Sequence, residues 1–145
     1  MKHRELLDLW ALSRGTKTRS AGNLRISGSK VIHYFTTIAQ IHHGPTGPVV
    51  LFVKGKFSSS TSAVQSLVRI AANEAGLRVF CVTDINPRAY EASVAEYRDW
   101  VAHCLRAAAR QPSAASYWRN WAARTLLELR GYMRAMRSLP LSQAA

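Results

Sequence analysis

The feature that most limits what this chain can fold into is a change of hydrophobic period along it. Between Asn23 and Ile85 much of the apolar content comes in short runs rich in β-branched and aromatic residues, bounded by Gly, Pro and Ser clusters. Such runs read as strands. From Arg88 to Arg137 the apolar residues recur every three or four positions, broken once at "RQPSAAS", and this reads as helix. A chain that gathers its strands first and its long helices afterwards belongs to the α+β class.

Individual segments refine the expectation. "HRELLDLWALSR" sets Leu6, Leu7, Leu9, Trp10 and Leu12 at mixed helical spacing and predicts a short amphipathic helix closing before Gly15. "GTKTRSAG" reads as a basic polar linker. "NLRISGSKVIHYFTTIAQIHH" reads as a hairpin turned at "SGS", with "VIHYFTTIAQI" as one long strand; "HGPTGP" turns the chain into a third strand, "VVLFVKGK". Val64, Leu67, Val68 and Ala71, at i, i+3, i+4 and i+7, predict a helix covering this meander and stopped by Gly76. "LRVFCVTDI" supplies a fourth strand. Farther on, Pro112 ends the first long helix and Ser113 is placed to cap the next. The expected fold is a small antiparallel sheet of three to four strands with one packed helix, followed by a two-helix C-terminal hairpin. The expected divisions are 1–22, a helix and basic linker; 23–86, a small α+β module; and 87–145, the helical hairpin and a short tail, packed with the module as one compact unit.

Charge narrows the choice of partner. Twenty Lys and Arg against eight Asp and Glu give a net charge of +12. Such an excess repels itself in the folded state and favours an acidic partner. No acid occurs between Asp8 and Glu74, a span that carries Arg14, Lys17, Arg19, Arg25, Lys30, Lys54, Lys56 and Arg69. Nucleic acid, DNA or RNA, is the expected partner and this half the expected contact. Within it, "VKGKFSSSTS" runs into the predicted helix. One hydroxyl caps the helix. The surplus hydroxyls, the free N–H groups of the helix start and the two lysines can converge on a phosphate. The candidate nucleic-acid-binding residues are therefore Lys54, Lys56, Ser58, Ser60, Thr61 and Ser62, with Arg14, Lys17, Arg19, Arg25 and Lys30 extending the footprint. Contacts of this type position a nucleic acid without reading its sequence.

A second surface competes. Trp118, Trp121, Ala122, Leu126, Leu129, Met133 and Met136 form a stripe on the last helix, a pattern typical of a core or an interface. Trp118, Trp121, Met133 and Met136 are candidates for binding a protein partner or a second copy. Arg130, Arg134 and Arg137 lie on another face, solvated or tracking phosphate. Tyr34 and Phe35 alternate along the second strand, and Phe52 and Phe57 flank the third, so one of each pair is expected in the core and the other is free to stack on a base.

Several chemistries lack their residues. The serine run, His33 and Asp84 do not form a GxSxG elbow. There is no close pair of acids of the kind glycosidases place on two strand ends and no P-loop pattern. His42 and His43, adjacent on a strand, point to opposite faces with no carboxylate or cysteine at ligand spacing. The expectation is a non-enzymatic protein without metal or cofactor. Cys81 and Cys104 have no metal spacing and sit among apolar residues, as buried free thiols of a reducing cytoplasm. No apolar run is long enough to span a membrane, and "MKHRELLDLWALSRG" lacks the apolar core of a secretory signal.

Two stretches carry a resemblance. "IHYFTTIA" is similar to a Y-S-Y-x-T-x-I-A pattern through Tyr34, Thr36, Ile38 and Ala39. "KFSSSTSAVQ" is similar to K-Y-S-x-T-T-S-x-H-Q through Lys56, Phe57, Ser58, Thr61, Ser62 and Gln65. In this order the pair resembles small uncharacterised proteins encoded by bacteriophages. The likeness spans about Asn23 to Ala72; Ile32, Ser60 and Val64 depart from it, Val64 standing where the pattern has histidine. It implies a phage origin, hence a host-cell cytoplasm, and a three-strand-plus-helix module, with no mechanism attached. A phage-type accessory protein that binds nucleic acid is the expected function, and a host-machinery inhibitor or virion component is the alternative.

Overall fold

In the computed structural model, residues 1–44, 46–53, 59–86 and 89–136 are described, with the side chains of 59 and 60 left aside. The chain divides into two compact units, Met1–Ile85 and Asn86–Ala145.

The first unit runs α1 (His3–Leu12), β1 (Thr18–Ala21), β2 (Leu24–Ser27), β3 (Lys30–His33), β4 (Thr36–Gly44), β5 (Gly47–Val53), α2 (Ser59–Glu74) and β6 (Arg78–Val82). All six strands form one sheet in sequence order, antiparallel from β1 to β5, with β6 added parallel to β5. A parallel neighbour cannot be reached through a tight turn, so the chain crosses over through α2. α1 packs against α2 and β2.

Each element follows from local chemistry. The Glu5 carboxylate accepts a hydrogen bond from the Lys2 backbone N–H at the start of α1. The helix then buries Leu6, Leu7, Trp10 and Ala11 on one face. It ends at Ser13, where the chain turns left-handed through Arg14 and Gly15, at φ of 56° and 75°. Gly15 is needed there: a Cβ would stand 2.7 Å from the Ser29 Cα. Strand side chains alternate with a period of two. Ala21, Leu24, Ile26, Val31, Ile41, Val50 and Phe52 are buried together with α1 and with Val64, Val68, Ala71 and Ala72 of α2. A bulge in β4 leaves Ile38 between the pairs Val31–Ala39 and Ile32–Thr37, so that Ile38 and Ala39 are both buried. Trp10 is fully buried, and its indole Nε1–H donates to the Ser29 carbonyl at 2.9 Å. Arg4 pairs with Asp8 one turn on and with Glu74 at the end of α2. β5 is buried on both faces, with Val49 and Leu51 opposite in direction to Val50 and Phe52, as its continuous apolar run requires.

The second unit holds α3 (Tyr90–Arg110), a 3-10 turn at Pro112–Ala114 and α4 (Ala115–Met136), the two helices packed against each other. Val101, Cys104 and Ala122 share a cluster with Trp118. Tyr132 stacks on Tyr90 at 5.6 Å and lies 5.8 Å from Tyr97. Ser113 sits in the 3-10 turn, and α4 starts at Ala115.

The fold is α+β, but the expected three-to-four-strand antiparallel sheet with one helix and a terminal hairpin is wrong in extent and topology. The sheet has six strands and is mixed, and the chain has four helices among the described residues. Two causes stand out. "GTKTRSAG" supplies β1, whose outer residues are polar because β1 is an edge strand. "VIHYFTTIAQI" is two strands, because the chain reverses at Tyr34–Phe35 without any Gly, Pro or Asn. The crossover through α2 makes the last pairing parallel.

The burial pattern sets a stability prediction. Ile26→Ala, at a fully buried position in the first core, should cost about 2–5 kcal/mol. Urea unfolding followed by circular dichroism checks it. An unchanged midpoint would show that this face is not packed as described.

Candidate nucleic-acid interface

The predicted anion seat is only partly visible. Lys54, Lys56, Ser58 and the Ser60 side chain lie outside the described residues, as does Phe57. Ser59 to Ser62 are already inside the first turn of α2. Thr61 is buried, and its Oγ1 shares a 2.9 Å hydrogen bond with His33 Nδ1. It therefore turns toward the sheet, while Ser62 is exposed. Gln65 is also buried, and its Nε2 donates to the Val53 carbonyl at 3.2 Å, tying α2 to the end of β5.

The five predicted cations from Arg14 to Lys30 separate into two kinds. Arg14 is structural: its Nη1 donates to the carbonyls of Ala11 and Ala75 at 3.3 and 3.0 Å, closing the ends of α1 and α2. Lys17, Arg19, Arg25 and Lys30 are exposed. Register assigns them to faces. Ser20 pairs with Arg25, and Ser27 pairs with both Thr18 and Lys30. Thr18, Ser20, Arg25, Ser27 and Lys30 therefore share the face opposite the α1–α2 core, and all five are exposed. Arg19 pairs with Ile26 and points the other way, at the sheet edge. Arg25 and Lys30 make no ion pair among the described residues. Two cations are thus interleaved with three hydroxyls, side chains of the kinds able to contact phosphate.

At one end of this face sits a feature that reading by alternation missed. The first three strands are four residues long, and two-residue turns at Gly22–Asn23, Gly28–Ser29 and Tyr34–Phe35 join them to one another and to β4. The first residue of each turn has positive φ, 61°, 58° and 56° in order. Glycine meets this requirement without strain, and tyrosine does not. Tyr34 is held by its backbone N–H, which donates to the Asn23 carbonyl at 2.8 Å, and by its Oη, which accepts from Asn23 Nδ2 at 3.0 Å. Neither aromatic enters the core: Tyr34 is 56% exposed and Phe35 100%. This corrects the expectation that one of the pair is buried. The two rings line an open cleft of about 380 Å³ with Ser20, Gly22, Asn23 and Arg25. The six-residue spacing of Gly22, Gly28 and Tyr34 was the available signal.

His33 anchors the turn from below. It is 3% exposed, meets the Tyr34 ring edge-on at 4.6 Å and faces the His3 ring at 6.4 Å. Burial, with the charge of His3 second, holds its pKa below the ordinary histidine value. His42 is depressed in the same way, by burial first and by His43 second, and its Nε2 is buried with no hydrogen-bond partner among the described residues.

In the second unit the buried line of α4 includes Ala122, Thr125, Leu129, Tyr132 and Met136. Of the predicted partner surface, Met136 is buried, Trp118 and Met133 are half-buried, and Trp121 is exposed with Arg124 over its ring at 5.9 Å. Arg130 and Arg134 are exposed, and Arg137 lies outside the described residues. Cys104 is buried and Cys81 half-buried, and neither is in a disulfide. Among the described residues no group of three or more His, Cys, Asp and Glu side chains could hold a metal ion, and no helix is long and apolar enough to cross a membrane. Comparisons with protein families, curated proteins and solved structures give no match.

Two outcomes are expected. Thr61→Val leaves His33 Nδ1 buried without that partner and should cost about 1–3 kcal/mol, while Thr61→Ser keeps most of the stability; thermal melts of the two variants separate them. In the unfolded chain His33 and His42 take up protons near pH 6.5, whereas the folded protein resists protonating them. The unfolded state then binds more protons as pH falls, so stability is full above about 6.5 and declines below it until the folded-state values are reached. Denaturation midpoints that rise from pH 7.5 to 5.5 would contradict this.

Proposed function

We propose that this protein is a non-enzymatic accessory protein that binds nucleic acid through phosphate contacts made by its sheet unit. The observation that carries this reading is the outward face of β1 to β3, where exposed Arg25 and Lys30 alternate with Thr18, Ser20 and Ser27 in a span without acids. Lysine, arginine and hydroxyl groups are the side chains that hold phosphate oxygens. A net charge of +12 adds long-range attraction for a polyanion. The motif resemblance to small phage proteins supports an accessory role in the cytoplasm of a host cell.

The test is salt dependence. A labelled oligonucleotide should bind at low salt and weaken steeply toward physiological salt. Arg25→Ala and Lys30→Ala should each weaken binding about equally across sequences. Each should also reduce the slope of log affinity against log salt, by about 0.7–0.9 for every phosphate that is no longer neutralised. No binding at low salt sinks the proposal.

A second reading rests on a different observation. Tyr117, Trp121, Leu126 and Leu127 of α4 and Trp100 of α3 are large apolar side chains left exposed, Leu127 at 63%. Tyr117 and Trp121 stand one turn apart on α4, and exposed aromatic side chains are enriched at protein interfaces. On that reading light scattering shows a stable oligomer or complex that Trp121→Ala weakens.

A further inference from the structure

We infer that the Tyr34–Phe35 turn is a stacking site for an unpaired nucleobase, with the phosphate beside that base held by Arg25, so that the protein selects single strands over duplex. The inference rests on the phosphate-binding reading of the same face and names its ligand more narrowly.

Three observations converge on it. The first is strain kept in place. Two preceding turns of the same length use glycine at the left-handed position, and the third uses tyrosine. The side chain costs conformational energy there and fills no core. The second is exposure: Phe35 lies wholly in water at the next position, so neither ring is packed into the core. The third is what surrounds the rings. Their cleft is also lined by Arg25, Ser20, Asn23 and Gly22, where no Cβ narrows the opening. A flat apolar ring with a cation and hydrogen-bonding groups beside it fits a base and its phosphate. In a duplex the bases stack on one another and offer no face to such a ring, so only an unpaired base satisfies all of these groups. Arg25 also lies on the face that carries Lys30, Ser27 and Thr18, which lets a strand continue from the cleft along the sheet.

Fluorescence anisotropy at low salt tests this with four labelled probes of one length: oligo-dT, oligo-U, a mixed-sequence duplex, and a dT strand carrying abasic positions throughout. The wild-type protein should bind oligo-dT, oligo-U or both at least about 10-fold tighter than the duplex, and the preferred one identifies the sugar. Phe35→Ala should weaken single-strand binding by about 10- to 100-fold, leave the salt slope unchanged and leave duplex binding alone, while Phe35→Trp retains the affinity. The abasic strand should bind wild type no better than oligo-dT binds Phe35→Ala. Because Phe35 is wholly exposed, the variant should melt like wild type, and Tyr34→Asn, which suits the left-handed turn, should melt at the same temperature or higher. Single-strand affinity unmoved by Phe35→Ala, or an abasic strand bound as tightly as oligo-dT, would overturn the stacking site and leave the phosphate reading standing. If no probe binds at low salt, the phosphate reading fails and the stacking site fails with it.

Discussion

Everything in the sheet unit depends on covering one face of the β1–β5 meander. A meander alone leaves its apolar side in water and is marginal. Here α1 and α2 cover that side, and each fully buried leucine, isoleucine or tryptophan contributes about 1.5–3 kcal/mol relative to exposure. Because α2 returns the chain to a strand parallel to β5, the crossover cannot be short, and α2 is committed to the same face as α1. Trp10 and the Arg4 pairs with Asp8 and Glu74 bind the two helices and the sheet into one unit.

With one face occupied, the other face of β1 to β3 exposes Thr18, Ser20, Arg25, Ser27 and Lys30 to solvent. Short strands of four residues with two-residue turns pack three reversals into the span from Thr18 to Phe35 and bring side chains distant in sequence side by side. Arg25 stands opposite Ser20 on one strand and Ile32 on the other, with the third turn at one end. The buried His33–Thr61 hydrogen bond fixes the residue just before that turn to the start of α2. The hydroxyl run therefore serves the turn through Thr61.

How much of this could be read from the sequence differs by element. The α1 periodicity, Gly76 as the end of α2 and the helices on either side of Pro112 were legible, because each rests on local chemistry. The hydrophobic pattern also identified β5 and β6. It could not show that they are parallel, since an apolar run reads the same in either direction. β1 was hidden by its polarity as an edge strand, and the Tyr34–Phe35 reversal by the absence of any turn-forming residue type. At the candidate site, the acid-free span directed attention to Arg25 and Lys30, which the strand register then sets on one exposed face. It also selected Arg14, whose role as a cap to two helix ends depends on a tertiary contact with Ala75 that no local pattern carries. On α4, a generous choice of apolar positions mixed the buried line of Ala122, Leu129 and Met136 with the exposed Trp121 and Leu126.

The most direct test of a nucleic-acid surface on the sheet unit is a titration of the isotopically labelled protein with a single-stranded oligonucleotide, followed by amide chemical shifts. The shifts should concentrate at Ser20, Asn23, Arg25, Ser27, Lys30 and Phe35, and lessen as salt is raised. Shifts confined to α3 and α4, or none at low salt, would contradict it.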